Sequence, residues 1–140
     1  MKVSPNAPCP CGRDAKLKRC CGPYIAGRPV PHPELLVRAR FTAYATGKVR
    51  FIMDTTHPDA PHRPEDQAAW RTELRDHCRQ VRFERLTIHE SEVHEAEDRA
   101  EVSFTVEMSR DGEPVGFFER SRFLRDGNRW RYVSGDLEST

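Results

Sequence analysis

Four of the five cysteines fall within thirteen positions, as two close pairs: Cys9 with Cys11, and Cys20 with Cys21. Zinc accepts four thiolates in a tetrahedron, with bonds of about 2.3 Å and no electronic demand beyond the four donors. Pro8 and Pro10 stiffen the first pair, and Gly12 permits a tight turn over a metal. Lys16, Lys18 and Arg19 offset the negative charge that four thiolates leave around Zn2+. The pattern predicts one structural Zn2+ held by Cys9, Cys11, Cys20 and Cys21. Two disulfides are the alternative. They need an oxidising compartment, and adjacent Cys20 and Cys21 are poor partners for each other. No apolar run exceeds three residues, so neither a membrane insertion nor a secretory segment is predicted, and a cytoplasmic, reducing setting is expected. Cys78 lies four residues after Leu74 and eight after Trp70, where a cysteine reads as a small buried hydrophobe rather than a reactive thiol.

A second set of polar residues sits in an apolar setting. From Val115 to Phe123 the alternation puts Glu119 and Ser121 on one face with Phe117 and Phe123. A buried carboxylate seeks a cation, and Arg38 and Arg40 flank the stripe of a helix expected to cross that face. Two readings stay open. One is a structural ion pair between Glu119 and Arg38 or Arg40. The other is a pocket of Arg38, Arg40, His57, Glu119 and Ser121 able to bind an acid or move a proton. His57 precedes Pro58 at a helix end, where a histidine is expected first to cap carbonyls. His62, His77, His89 and His94 show no ligand spacing, so no second metal site is predicted. There is no glycine-rich phosphate loop and no nucleophile elbow. No catalytic residue is assigned, Glu119 and His57 being the nearest candidates.

These side chains need elements to hold them. Residues 1–33 contain seven of the eleven prolines and no hydrophobic period, which predicts a small metal-stapled module (1–28) and a stiff proline-rich linker (29–33). From Glu34 the period becomes helical: Val37, Phe41 and Tyr44 form a stripe, with Pro33 at the first helical position and Gly47 at the stop. Val49, Ile52 and Met53 predict a short second helix. Pro64-Glu65-Asp66 opens a third, with Trp70, Leu74 and Cys78 on one face. After that the period is two. Ala100, Val102, Phe104, Val106 and Met108 mark a half-buried strand, Asp111-Gly112 a hairpin, and Trp130 and Tyr132 a final strand. Val81 and Phe83 change parity to Leu86 and Ile88, which predicts a β-bulge. The sum is an α+β domain over residues 34–140, with helices packed on one face of an antiparallel sheet.

Charge divides the chain in the same place. Residues 1–31 carry six cations against Asp14, net +5, and the remainder carries 17 against 21, net −4, for +1 overall. The string Cys9-Pro10-Cys11-Gly12 … Cys20-Cys21-Gly22-Pro23-Tyr24 resembles the SEC-C motif, a zinc-binding element. Arg38-Ala39-Arg40-Phe41-Thr42-Ala43-Tyr44, Thr56-His57-Pro58, Glu119-Arg120-Ser121-Arg122-Phe123 and Arg129-Trp130-Arg131-Tyr132, in that order, are similar to YchJ-like proteins. That resemblance implies a SEC-C module ahead of a nuclear-transport-factor-2-like domain, a cystatin-like cone on a curved antiparallel sheet. Arg13-Asp14 stands where members carry Ser-Gly. The resemblance implies a fold and a metal, and no particular reaction. The function expected first is a non-enzymatic adaptor whose basic zinc module docks on an acidic protein partner. The alternatives are a cone that binds or converts a small molecule around Glu119 and His57, and a ribosome- or RNA-associated factor. A cavity below about 300 Å³ would be too small for most substrates and would favour the adaptor.

Overall fold

The computed structural model describes residues 3–139. Helix α1 (Cys21–Ile25) belongs to the cysteine module, and α2 (Pro33–Thr46), α3 (Val49–Asp54) and α4 (Gln67–Gln80) follow. The sheet comprises β1 (Val81–His94), β2 (Arg99–Arg110), β3 (Glu113–Pro114), β4 (Phe117–Asp126) and β5 (Arg129–Ser139). All pairings are antiparallel, in the order β1-β2-β4-β5, with β3 paired to β2 alone.

Local chemistry explains the boundaries. Pro33 opens α2 after an extended His32, and Gly47 closes it in the left-handed region at φ 71°, donating its N–H to Ala43 O. Asp66 caps α4 by accepting the Ala69 N–H at 3.0 Å. Pro64 therefore lies outside the helix that the sequence had it open. Asp111 and Gly112 both adopt positive φ, as a hairpin turn that matches strand twist requires. The strand expected from Val115 onward is interrupted: Val115 is exposed between β3 and β4.

Register shifts between Phe83 and Arg85, Ile88 and Glu90, and Arg122 and Phe123 bend the sheet. The first is the bulge that the parity change predicts. The concave face closes over α2, where Leu36, Val37 and Phe41 pack with Val102, Phe104, Val106, Phe123 and Trp130. A second core joins α3 and α4 through Ile52, Met53, Trp70, Leu74 and Cys78; buried Cys78 behaves as the hydrophobe expected. The proline-rich segment is not a free spacer, for Val30 joins the main core and Pro33 is fully buried. No helix among the described residues is long and apolar enough to cross a membrane.

A four-cysteine centre and a carboxylate cavity on two sides of one helix

Cys9 and Cys11 lie in a tight loop fastened by the Cys9 N–H to Ala15 O at 2.9 Å and the Gly12 N–H to Cys9 O at 3.2 Å. Gly12 holds φ 87°, a conformation that favours glycine. Arg13 and Asp14 do not adopt positive φ, so the turn makes no demand for the Ser-Gly they replace. Cys20 follows a short 3-10 turn, and Cys21 opens α1.

All four thiols are buried and free, with sulfurs within 4.8 Å of one another. Cys11 Sγ stands 3.6 Å from Cys20 Sγ, and Cys20 Sγ 4.0 Å from Cys21 Sγ. Four sulfurs bound at 2.3 Å on a tetrahedral ion stand about 3.8 Å apart, whereas a disulfide holds its sulfurs at about 2.05 Å. The donor set fits a metal. Its electrostatics agree: hydrogen bonds from Cys11 and Cys21 hold the Cys9 thiol far below its ordinary range, while burial, then the charge of Cys11, pushes Cys20 up to about 12. Four thiolates this close need a cation among them.

The module is fastened to α2. Arg38 Nη1 donates to Cys11 O at 3.1 Å, Cys9 Sγ lies 3.6 Å from Thr42 Oγ1, and buried Ala39 packs on the cysteines. The far side of the helix presents Val37, Arg40, Phe41 and Tyr44 to a cavity of about 400 Å³. Its walls are mostly apolar, from Leu74, Leu86, Phe104, Val106 and Phe117, with Leu137 at the edge. Its polar groups are Glu119, Ser121, Arg40, His77 and two phenols, Tyr44 and Tyr132.

Glu119 is 8% exposed. Ser121 Oγ donates to its Oε2, and β5 passes so close at Gly135 that a Cβ there would meet the Glu119 Cγ at 2.9 Å. Burial pushes the Glu119 carboxyl up, against the hydrogen bond from Ser121 and the charge of Arg40. Burial also raises both phenols and, with Arg110, lowers His77.

The expected ion pair is not formed. Arg38 turns away to Cys11 O and lies 3.8 Å from Glu34. Arg40 points into the cavity, but its Nη1 donates to Ile52 O (3.0 Å) and Thr55 Oγ1 (2.7 Å), and its guanidinium lies 4.7 Å above the Tyr132 ring. One carbonyl and two threonine hydroxyls at the end of α3, with an aromatic face, hold the cation more closely than the carboxylate does. His57 also departs from expectation: it lies outside the cavity lining, and its Nδ1 accepts the Asp59 N–H at 3.0 Å instead of capping a helix. Its backbone serves the fold, with the N–H bonded to Tyr132 O at 2.7 Å.

Sequence spacing assigned three polar residues of the cavity, Tyr44, His77 and Tyr132, to no site. Tyr44 was legible only as part of the α2 stripe. Tyr132 was legible only as a strand residue, and His77 only from its place one position before Cys78 on the α4 stripe. His94, unassigned by spacing, comes together with Glu92 and Glu101. The cation there is Arg120, 3.2 Å from Glu101 and 3.7 Å from Glu92.

Residues 6–23 match the SEC-C motif, and residues 32–135 match the family described as "YchJ, middle NTF2-like domain". A UPF0225 protein of Xanthomonas oryzae pv. oryzae is 35% identical over 130 residues, 92% of this chain and 94% of its own. The solution structure of a SEC-C motif containing protein from Rhodopseudomonas palustris superposes with a TM-score of 0.79 at 28% identity, over 93% of this chain and 98% of that one. A cystatin-like protein from Caulobacter vibrioides, at 14% identity, shares the fold with a TM-score of 0.59 over 78% of this chain and 87% of its own. A cysteine centre seated on the outer side of the helix that roofs a cystatin-like cone, matched in order and over nearly full length, places this chain in the YchJ-like UPF0225 family.

Proposed function

We propose that this chain is a zinc-stapled, non-enzymatic binding protein whose cone takes a small, largely apolar molecule against Glu119. The cavity carries the reading. At about 400 Å³ it exceeds the roughly 300 Å³ at which small-molecule sites begin, and it combines apolar walls with a few convergent polar groups. Zinc is the ion that four thiolates in a tetrahedral set favour, and residues 1–28 serve as its module. Burial tightens the Glu119 carboxyl's hold on its proton, and in its protonated form it donates a hydrogen bond to a carbonyl or ether oxygen of the ligand. Binding rather than turnover is favoured by Glu119 itself, whose carboxylate is already engaged by Ser121.

N-phenyl-1-naphthylamine, an uncharged fluorescent probe of apolar sites, tests the reading on the metal-loaded chain. We expect a saturable, one-to-one rise in emission, weakened several-fold by Leu137→Trp, a substitution at an exposed lining residue. A rise that never saturates would overturn it.

The adaptor reading has its own support: Arg13, Lys16, Lys18, Arg19 and Arg28 all stand exposed on the module. Docking of this face on an acidic protein predicts capture that weakens with salt and survives RNase.

A further inference from the structure

A second hollow, of about 1100 Å³, lies between α1, the α2–α3 junction, α4 and the first residues of β5. Its side chains include eight cations and one acid, Asp54. That is 8 − 1 = +7 in a chain whose net charge is +1, so all other residues together carry 1 − 7 = −6. Two of the cations are engaged within the protein. Arg50 pairs with Asp54 at 3.6 Å, and Arg63 donates to Thr56 O at 2.6 Å and stacks over Trp70. The other six, Arg28, Lys48, Arg71, Arg75, Arg129 and Arg131, have no carboxylate within 4 Å among the described residues. They converge from four separate parts of the fold. Such a cluster gathers counterions, and a polyanion that displaces them gains the free energy of their release.

We propose that this groove binds single-stranded nucleic acid through its phosphates. Five of the six free cations are arginines, whose planar forks match phosphate oxygens two at a time. Tyr24 and Phe51, both half-buried, line the same hollow and offer ring faces on which bases of any identity can stack. Duplexes are read by elements that protrude into a groove, whereas here the cations line a concavity, the form that follows a flexible strand. An acidic protein fits less well. Protein interfaces centre on exposed apolar anchors and exclude charge from their core, and the exposed large hydrophobics among the described residues, Val115 and Leu137, both lie outside this groove. The surface is distinct from the basic face of the module, sharing only Arg28 with it, and is independent of the cone cavity.

Fluorescence anisotropy of labelled dodecauridylate with the metal-loaded chain, over a series of KCl concentrations, is the test. Arg71→Ala/Arg75→Ala removes two exposed groove cations, and Arg79→Ala removes an exposed cation of the same helix outside the groove. Each lost phosphate contact flattens the log–log salt slope of a single strand by about 0.7. The double variant should therefore lose about 1.4 of slope and about tenfold or more in affinity at 0.1 M salt, while Arg79→Ala changes neither. Unlabelled dodecauridylate should displace the label, and free uridine monophosphate should not. Should the double variant lose its circular dichroism spectrum, Arg129→Ala reads the same groove from β5. Equal losses from Arg79→Ala, or no binding at low salt, would overturn the proposal. Displacement by polyglutamate at lower concentration than by unlabelled strand would also overturn it and assign the groove to an acidic protein.

Discussion

Arg40 holds the end of α3, the face of Tyr132 and the charge of Glu119 at once, and replacing it separates these tasks. Arg40→Met keeps an unbranched apolar stem in the cavity wall and removes the guanidinium. Three hydrogen bonds from the guanidinium are lost, to Ile52 O, Thr55 Oγ1 and, at 3.3 Å, Thr56 Oγ1. Ile52 O keeps the hydroxyl of Thr56 at 2.8 Å, so it is not orphaned. With bonds to charged groups contributing about 1.5–3 kcal/mol each, a cation–π contact about 0.5–2, and part of this offset by the retained partner and the buried methionine, the net cost is about 2–4 kcal/mol. That cost should depend on pH. Burial makes the folded state hold the Glu119 proton more tightly than the unfolded chain does, from an ordinary value of 4.5. Its contribution to stability is therefore complete below that value and is lost as pH rises through the raised one. Arg40 opposes the rise, so its removal should cost more at pH 8 than at pH 5, by about 1–2 kcal/mol for charges not in contact. Urea unfolding followed by circular dichroism at the two pH values measures this, alone and in a Glu119→Gln background, where the difference should vanish. An equal cost at both pH values, or a difference that survives Glu119→Gln, would refute the assignment of Arg40 as the cation that tempers Glu119.

Metal analysis should find one zinc per chain. Its removal by a strong chelator should abolish amide protection at Cys9, Leu17 and Cys20, whose N–H groups bond within the module, while β2 and β4 stay protected; simultaneous loss throughout the sheet would instead make module and cone one cooperative unit. Gly135→Ala drives a methyl group into Glu119, so thermal unfolding should show a loss of about 1–3 kcal/mol, largely recovered by Glu119→Ala in the same chain if the collision is the cause.

Local chemistry carried much of the architecture. Pro33 and Gly47 mark the ends of α2, and the alternation around Val102 and Phe104 marks a strand, because each signal acts within one element. The burial of Glu119 and Ser121 beside Phe123 was legible for the same reason: a period of two assigns a face without knowing what covers it. The cysteines were legible because all four donors fall within thirteen positions. What stayed hidden depends on distant partners. Nothing near Arg40 reveals that the end of α3, twelve residues on, offers its guanidinium better acceptors than Glu119 does. His57 looks chemical beside Pro58, yet its position is set by main-chain pairing with β5. The groove of cations was invisible because Arg28, Lys48, Arg75 and Arg129 meet only after the chain has folded.

Helix α2 touches the cysteines through Arg38, Ala39 and Thr42 and the cavity through Val37, Arg40, Phe41 and Tyr44. One rigid helix is thus the shared wall between the two sites, each side of it serving one of them. A molecule that enters the cone more tightly when the module is loaded must, by reciprocity, tighten the module's grip on its metal by the same factor. Metal content is then a variable of every ligand screen on this protein, and a preparation stripped during purification presents a different receptor from the loaded one.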